Sequence, residues 1–267
     1  MTQPPLISLS PLTPAEFAVT ADGTPYAPAF DDVYHSSHGG VAQARQVFLA
    51  GNDLPARWRQ RAAADADVAF VIVETGLGLG LNFLVTWQAW REAGAPCPLH
   101  FVSVEKLPFR RDDLTRALAG FAADFVELAP LVAALLAQWP PLLAGFHRLH
   151  VDNGRVTLTL LFGDAASQLP KLAARADALY LDGFAPAKNP ALWSPEILAA
   201  LTRLSHADTT LATWSVAGEL RRSLQAQGWT LTRRPGFAGK REMLCGRYAA
   251  TQRTAAGNNA VSPAITT

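Results

Sequence analysis

Cysteine, charge and long apolar runs are all scarce in this chain of 267 residues. Only Cys97 and Cys245 occur. They are far apart and have no CxxC spacing, which excludes a disulfide framework and a cysteine-based metal knuckle. The six histidines form no HxxxH pair, so no metal site is expected. No apolar run reaches the roughly 18 residues needed to span a bilayer. The opening Met1-Thr2-Gln3-Pro4-Pro5 has no basic segment followed by an apolar stretch, so no signal peptide is expected. These absences point to a soluble, cytoplasmic protein with no membrane partner. Charged residues make up 17% of the chain, with a formal net charge of +1, so overall charge neither demands nor excludes a polyanion. The distribution is uneven. Residues 1–75 carry 4 Lys/Arg against 8 Asp/Glu, net −4, whereas residues 203–247 carry 8 against 3, net +5. A basic C-terminal part suits a polyanion docking on one face, and it equally suits a solvated helix face.

What is present is a repeating strand–helix pattern. Val68–Val73 reads as a buried strand and Leu81–Arg91 as a helix. Leu99–Val104 is a strand ending in Glu105, and Asp112–Gln138 a long helical stretch broken at Pro130. His147–Val151 and Arg155–Phe162 flank Asn153-Gly154, the signal of a type I′ hairpin. Ala178–Leu181 is a strand ending in Asp182, and Ser194-Pro195-Glu196 opens a helix. Thr209–Trp214 is a strand, Ala217–Gln227 a helix, and Trp229–Arg233 with Arg241–Tyr248 a closing antiparallel pair. Such alternation predicts an α/β fold with a mostly parallel sheet and helices on both faces. Residues 1–60 are rich in proline and turns, with a hairpin at Asp22-Gly23, and read as a β-rich extension packed on the main domain, 61–248. Residues 249–267 read as a disordered tail or a truncated linker.

The most informative segment is Val73-Glu74-Thr75-Gly76-Leu77-Gly78-Leu79-Gly80-Leu81-Asn82-Phe83. It places an acid and three glycines where a strand turns into a helix. There, residues without side chains let backbone N–H groups approach a ligand. Leu81 stands where a dinucleotide-binding Gly-x-Gly-x-x-Gly would have its third small residue. The reading therefore shifts from NAD to S-adenosylmethionine, which has a carboxylate, a sulfonium and a ribose but no pyrophosphate. Glu74, Glu105, Asp164 and Asp182 stand at or near the carboxyl ends of predicted strands, where open α/β sheets bind ligands. Glu105 is placed on the ribose hydroxyls, Asp164 near the adenine amine, and Gly76 and Gly78 under the methionine part.

Tyr180-Leu181-Asp182-Gly183-Phe184-Ala185-Pro186-Ala187-Lys188-Asn189-Pro190 combines an acid, an aromatic and a rigid loop. Methyl transfer to nitrogen needs an aimed lone pair, so positioning supplies much of the catalysis. Asp182 is placed to orient an amine or accept its proton, and Phe184 to stack on a planar base. The Asn/Asp-Pro-Pro-Tyr motif of enzymes that methylate aromatic ring amines is absent. Lys188, Arg221, Arg222, Arg233, Arg234, Lys240 and Arg241, interleaved with Trp193, Trp214 and Phe237, suit phosphate contact with stacking. Trp214, at a strand end, reads as core.

Together with Phe30-Asp31-Asp32-Val33-Tyr34, Val47-Phe48-Leu49-Ala50-Gly51-Asn52, Phe101-Val102-Ser103-Val104-Glu105-Lys106 and Gly239-Lys240-Arg241-Glu242-Met243-Leu244-Cys245-Gly246, these segments resemble a known family over about residues 15–248. It is the N-terminal methyltransferase domain of the bifunctional enzymes that make 5-methylaminomethyl-2-thiouridine in tRNA (MnmC type). The resemblance implies a Rossmann-like, class I S-adenosylmethionine-dependent fold. It also implies methyl transfer to the exocyclic amine of 5-aminomethyl(-2-thio)uridine at the wobble position, with tRNA as partner and an FAD-dependent oxidase domain or protein supplying the amine. On this reading Asp182 and Phe184 are catalytic, and Glu74, Gly76, Gly78, Gly80, Asn82, Glu105, Lys106 and Asp164 bind the cofactor. Pro186, Lys188, Arg233, Arg234, Lys240 and Arg241 bind the substrate, and there is no metal. The family's Gly-Phe-Gly-Thr-Gly turn is here Gly76-Leu77-Gly78-Leu79-Gly80, which loses a hydroxyl and keeps every glycine. No second glycine fingerprint follows Tyr248, so no FAD is expected in this chain. Two other readings remain: a methyltransferase for a small-molecule or protein amine, and a non-catalytic tRNA-binding module.

Overall fold

The computed structural model describes residues 11–249. The expected tail, apart from Ala249, lies outside them. At the N-terminal side, β1 (Ala18–Val19) and β2 (Pro25–Ala27) form an antiparallel hairpin about Asp22-Gly23, and β3 (Asp32–Val33) adds to β2. The β-rich part ends there. It gives way to α1 (Gly40–Ala44), a π-helical turn over Arg45–Leu49, a 3-10 turn over Ala50–Asn52, and α2 (Ala56–Ala64). Val41, Ala44, Val47 and Phe48 are buried. They recur every three to four residues, the period of a helix and not of a strand.

The rest alternates as expected. β4 (Phe70–Thr75) leads to α3 (Leu81–Glu92), and β5 (Leu99–Glu105) to α4 (Arg111–Asp124) and α5 (Ala129–Ala137). The long helical stretch breaks at residues 125–128, ahead of Pro130. The proline sits in the first turn of α5, where its missing N–H has no intrahelical partner to lose. β6 (Gly145–Val151) and β7 (Val156–Phe162) are an antiparallel pair whose last rung is Val151 with Val156. Their connection is four residues, not a two-residue type I′ turn. Asp152, Asn153 and Gly154 all have positive φ. The Asp152 carboxylate is anchored by Trp87 Nε1–H at 2.6 Å and Arg91 at 3.2 Å, which widens the turn. α6 (Ala165–Gln168), β8 (Ala176–Leu181), α7 (Pro195–Arg203), β9 (Ser205–Thr213), α8 (Gly218–Ala226), β10 (Trp229–Pro235) and β11 (Glu242–Tyr248) complete the chain.

The main sheet has the order β10-β11-β9-β8-β4-β5-β7-β6. The five central strands, β9 to β7, are parallel, and β6, β11 and β10 pair antiparallel at the two edges. Among the parallel strands the spatial order is third, second, first, fourth, fifth, so the order of strand addition across the sheet reverses between β4 and β8. That is the switch point at which doubly wound sheets bind ligands. The core divides into two apolar layers. One packs Phe83, Leu84, Trp90, Leu114 and Leu131 of α3, α4 and α5 beneath the N-terminal segment. The other packs Ile197, Leu201, Leu220 and Leu224 of α7 and α8 on the opposite face.

Candidate active site

The carboxyl ends of β8, β4, β5 and β7 lie side by side, Thr75 pairing with Leu181 on one side and Val104 on the other. All four expected acids therefore lie in or within two residues of the ends of adjacent strands. Over them lies a cavity of about 440 Å³, within the range of small-molecule sites. Among the described residues no His/Cys/Asp/Glu cluster could hold a metal ion.

The glycine turn is tied to β5 by Gly76 N–H and Leu77 N–H, which both donate to Val104 O at 3.0 and 3.3 Å. Gly76 has φ 76°, and a Cβ there would stand 3.2 Å from Gly183 Cα. A side chain at Gly76 would thus be strained by the positive φ and crowd the Asp182 loop at Gly183. Gly78 has φ 53°, and a Cβ would lie 3.0 Å from Tyr34 Cδ1. Gly76 and Gly78 line the cavity. Gly80 is absent from that lining and instead caps α3, its carbonyl accepting from Leu84 N–H at 3.0 Å.

Glu105 ends β5 and lines the cavity. Its Oε2 accepts from Gly78 N–H at 2.9 Å and its Oε1 from Leu107 N–H at 2.8 Å. Burial pushes its proton affinity up, and these N–H groups oppose that. Each oxygen keeps a lone pair for a further donor. Asp164 is both an N-cap and a lining residue. Oδ1 accepts from Ala166 N–H at 3.0 Å, and Oδ2 pairs with Lys106 Nζ at 3.0 Å. Lys106 beside it holds the Asp164 carboxyl below its usual range.

Glu74 departs from expectation. It is fully buried and does not line the cavity. Its Oε2 accepts from Ser103 Oγ–H at 2.6 Å and its Oε1 from Asn82 Nδ2–H at 2.9 Å. Burial raises its pKa well above the usual carboxylate range. Asn82 gives its second Nδ2 proton to Asp182 Oδ2 at 2.7 Å, so one amide bridges two acids.

Asp182 follows β8 and borders the cavity. Thr75 Oγ1–H donates to its carbonyl at 2.7 Å, and its own N–H donates back to Thr75 Oγ1 at 3.1 Å. Its Oδ1 accepts from Gly183 N–H at 2.8 Å and from Trp214 Nε1–H at 3.1 Å. Burial lifts its pKa from 3.8 to about 6, against the pull of Gly183, Asn82, Trp214 and Lys240. A carboxyl so tuned can take a proton near neutral pH. Phe184 lines the same cavity. One face of its ring is stacked on Phe30, centroids 4.6 Å apart at 25°, and Tyr34 approaches it edge-on at 5.2 Å.

The remaining expected residues spread outward. Pro186 and Lys188 lie outside the cavity lining, with Lys188 paired to Asp31. Arg233 and Arg234 sit on the edge strand β10. Arg233 pairs with Glu242 at 2.7 Å and Arg234 with Asp53 at 3.1 Å. Arg241 is exposed beside them. Lys240 alone of the basic set after β9 lines the cavity, its Nζ 3.6 Å from the Trp214 ring centroid. Sequence reasoning missed Trp214 and Asp32 as site residues. Trp214 is only partly buried and holds Asp182, and Asp32 Oδ2 accepts from Ala185 N–H at 2.9 Å. The Phe30–Tyr34 motif was the only available signal for Asp32.

The cavity fits an S-adenosylmethionine-like ligand by its donor set. It has carboxylates with spare lone pairs at Glu105 and Asp164 and a turn that presents two glycines, Gly76 and Gly78, between leucines, and no arginine of the basic set lines it. Residues 126–249 match the family Methyltransf_30, described as S-adenosyl-L-methionine-dependent methyltransferase. Fold, switch-point cavity and match together define the class: a class I S-adenosylmethionine-dependent methyltransferase domain. The resemblance read from the motifs is borne out. The chain is 58% identical over 239 residues to the tRNA 5-methylaminomethyl-2-thiouridine biosynthesis bifunctional protein MnmC of Azoarcus sp., covering 89% of this chain and 36% of that protein. The namesake from Burkholderia multivorans is 54% identical over 239 residues, covering 89% and 35%. The chain thus spans about a third of the curated relatives it matches. The crystal structure of MNMC2 from Aquifex aeolicus has the same fold, with a TM-score of 0.65 at 22% identity over 88% of this chain and 70% of that one.

Proposed function

We propose that this domain transfers a methyl group to the exocyclic amine of 5-aminomethyl(-2-thio)uridine at the wobble position of tRNA, giving 5-methylaminomethyl(-2-thio)uridine. The observation that carries the reading is Asp182. It is a carboxylate at the switch point, held by Asn82, Trp214 and Gly183 and lifted to a pKa of about 6, beside an aromatic pair suited to a planar base. The relatives' name supports the substrate. S-adenosylmethionine, when bound, supplies an activated methyl group on sulfur. Glu105 and Asp164 are proposed to take its hydroxyl and amine donors, with Lys106 fixing Asp164 and Gly76 and Gly78 leaving room for the rest. Asn82 borders the cavity itself and is proposed to meet the cofactor there besides holding Asp182, whereas Glu74 reaches the site through Asn82.

An alkylammonium has no lone pair to attack with. Asp182 attracts it, accepts one proton, and then holds the neutral amine in line with the methyl group. The Phe30–Phe184 pair, with Tyr34 at its edge, is proposed to flank the base. Lys188, Arg233, Arg234 and Arg241 are proposed to meet tRNA phosphates around the mouth, and Pro186 to stiffen the loop between them. The division expected after residue 60 would cut α2 (Ala56–Ala64), so the chain is proposed to divide instead between α2 and β4. The segment before the division supplies part of the site's cover, and the sheet supplies its floor. An FAD-dependent oxidase domain or protein that exposes the amine is the proposed partner. Among the described residues no helix is long and apolar enough to cross a membrane, and a cytoplasmic setting is proposed with the tRNA substrate. Single-turnover methyl transfer to tRNA carrying the unmethylated aminomethyl group tests the reading. Transfer to that nucleotide is expected. Transfer only to free small amines, or cofactor binding without transfer, would overturn it.

A further inference from the structure

Lys188, Arg233 and Arg234 lie outside the cavity lining and are each paired with a carboxylate, Asp31, Glu242 and Asp53 in turn, of which only Glu242 borders the cavity. Lys240 is held differently. Its ammonium stands over the Trp214 indole, 3.6 Å from the ring centroid, a distance at which the ring's negative face attracts a cation. The edge of the same indole donates its N–H to Asp182 Oδ1 at 3.1 Å. Asp32 and Asp182 both favour the charge on Lys240, although burial opposes it. Lys240, Trp214, Asp182 and Asp32 all line one cavity. One indole therefore presents its face to a cation and its edge to the carboxylate at the centre of the site.

The end of a lysine side chain is a methylene carrying an ammonium, which is also the chemistry of an aminomethyl substituent. We propose that the Trp214 face, flanked by Asp182 and Asp32, is the subsite that recognises the substrate's primary alkylammonium, and that the Lys240 ammonium occupies it until the substrate's displaces it. The inference rests on the proposed amine methylation and adds to it how the amine is selected. Trp214 is the recognition surface, Asp182 at its edge receives the ammonium next, and Lys240 is a built-in competitor and not a phosphate contact. A ligand that must displace an internal occupant binds more weakly by the fraction of time the subsite is open. Neutral analogues of the same shape keep contact with the ring but gain neither a cation's attraction to its face nor an ion pair with the two carboxylates.

The test is titration calorimetry with 5-aminomethyluridine, which carries the ammonium and no phosphate, against its neutral 5-hydroxymethyl analogue. Lys240→Met keeps an apolar stem over Trp214 and removes the charge. The Kd of the aminomethyl nucleoside should fall about threefold or more in Lys240→Met, with the hydroxymethyl nucleoside unmoved. An unchanged or raised Kd for the amine would overturn the proposal, because Lys240 would then not be a competitor. Trp214→Leu should weaken the amine more than the neutral analogue, and equal weakening of both would also overturn it. Methyl transfer to tRNA by the unaltered protein is measured alongside. Its absence would remove the proposed function, whereas the charge-selective binding is read without turnover and stands or falls separately.

Discussion

Replacing Asp182 by asparagine should slow methyl transfer and, at the same time, stabilise the fold above neutral pH. The two effects share one cause. Burial moves the Asp182 pKa from 3.8 to about 6, a difference of about 2 units. At about 1.36 kcal/mol per unit, the ionised carboxylate destabilises the folded state by at most about 3 kcal/mol at pH 8. The sign comes from linkage. The folded state binds this proton more tightly than the unfolded chain does. The contribution is therefore favourable in full below the unfolded pKa of 3.8 and lost as pH rises through about 6. Asparagine removes the charge but sets its own amide nitrogen against that of Asn82, which now donates to Oδ2 at 2.7 Å. Losing that hydrogen bond costs about 1 kcal/mol, and contact with the cavity reduces the ceiling further. The net gain at pH 8 is then about 1 kcal/mol, or roughly 2–4 °C in Tm for a domain of this size.

Calorimetric melting at pH 8 and pH 4 reads this directly. Asp182→Asn should melt higher than the unaltered protein at pH 8 and no higher at pH 4, where both lack the charge. An identical difference at the two pH values would refute the reasoning, since charge would then not be what burial penalises. Turnover should move the other way. Loss of a general base typically lowers rates by about 10²–10⁴-fold, with partial recovery in the variant at higher pH, where more free amine exists. In the unaltered protein the rate should fall as pH drops through about 6.

Glu74→Gln should leave cofactor affinity by calorimetry unchanged but lower turnover, because Glu74 reaches the site only through Asn82; a large loss of affinity would return it to the cofactor. Glu105→Ala should weaken cofactor binding tenfold or more, about 1.4 kcal/mol, since it removes both an acceptor and the anchor of Gly78 N–H; unchanged affinity would move the cofactor elsewhere. Neutralising Arg233, Arg234 and Arg241 together should weaken tRNA binding and reduce its salt slope by about one unit per lost phosphate contact. Cofactor affinity should not move, and an unaltered salt slope would take tRNA off this edge of the sheet.

The sheet and most of the site's floor were legible in the sequence because both rest on local pattern. A strand, an acid and glycines in succession place Gly76, Gly78 and Glu105 without knowledge of the rest of the chain. Glu74 shows the limit of that logic. An acid one residue before a strand's end can point into the sheet's packing as readily as out of it, and only the positions of Ser103 and Asn82 decide which. Trp214 failed for a related reason. An aromatic at a strand end is apolar enough for the core, and its value here lies in an edge aimed at Asp182 and a face left to a cation.

The N-terminal segment was hardest to read because its partners lie more than a hundred residues away. Asp32 meets Ala185 N–H, Asp31 pairs with Lys188, and Phe30 stacks on Phe184. Three consecutive contacts of different chemistry thus tie residues 30–32 to the Asp182 loop, and Tyr34 then lies against the glycine turn. Each link alone is weak, since an exposed ion pair contributes about 0–1 kcal/mol and an aromatic pair about 0.5–1.5. Together they join the segment carrying Asp32 to the loop carrying Asp182, the two carboxylates that act on Lys240. The small sheet at residues 18–33 is therefore less an appendage than the support that brings the second of those acids to the cavity. A pattern that looks like irregular turns in one dimension is what completes the site in three.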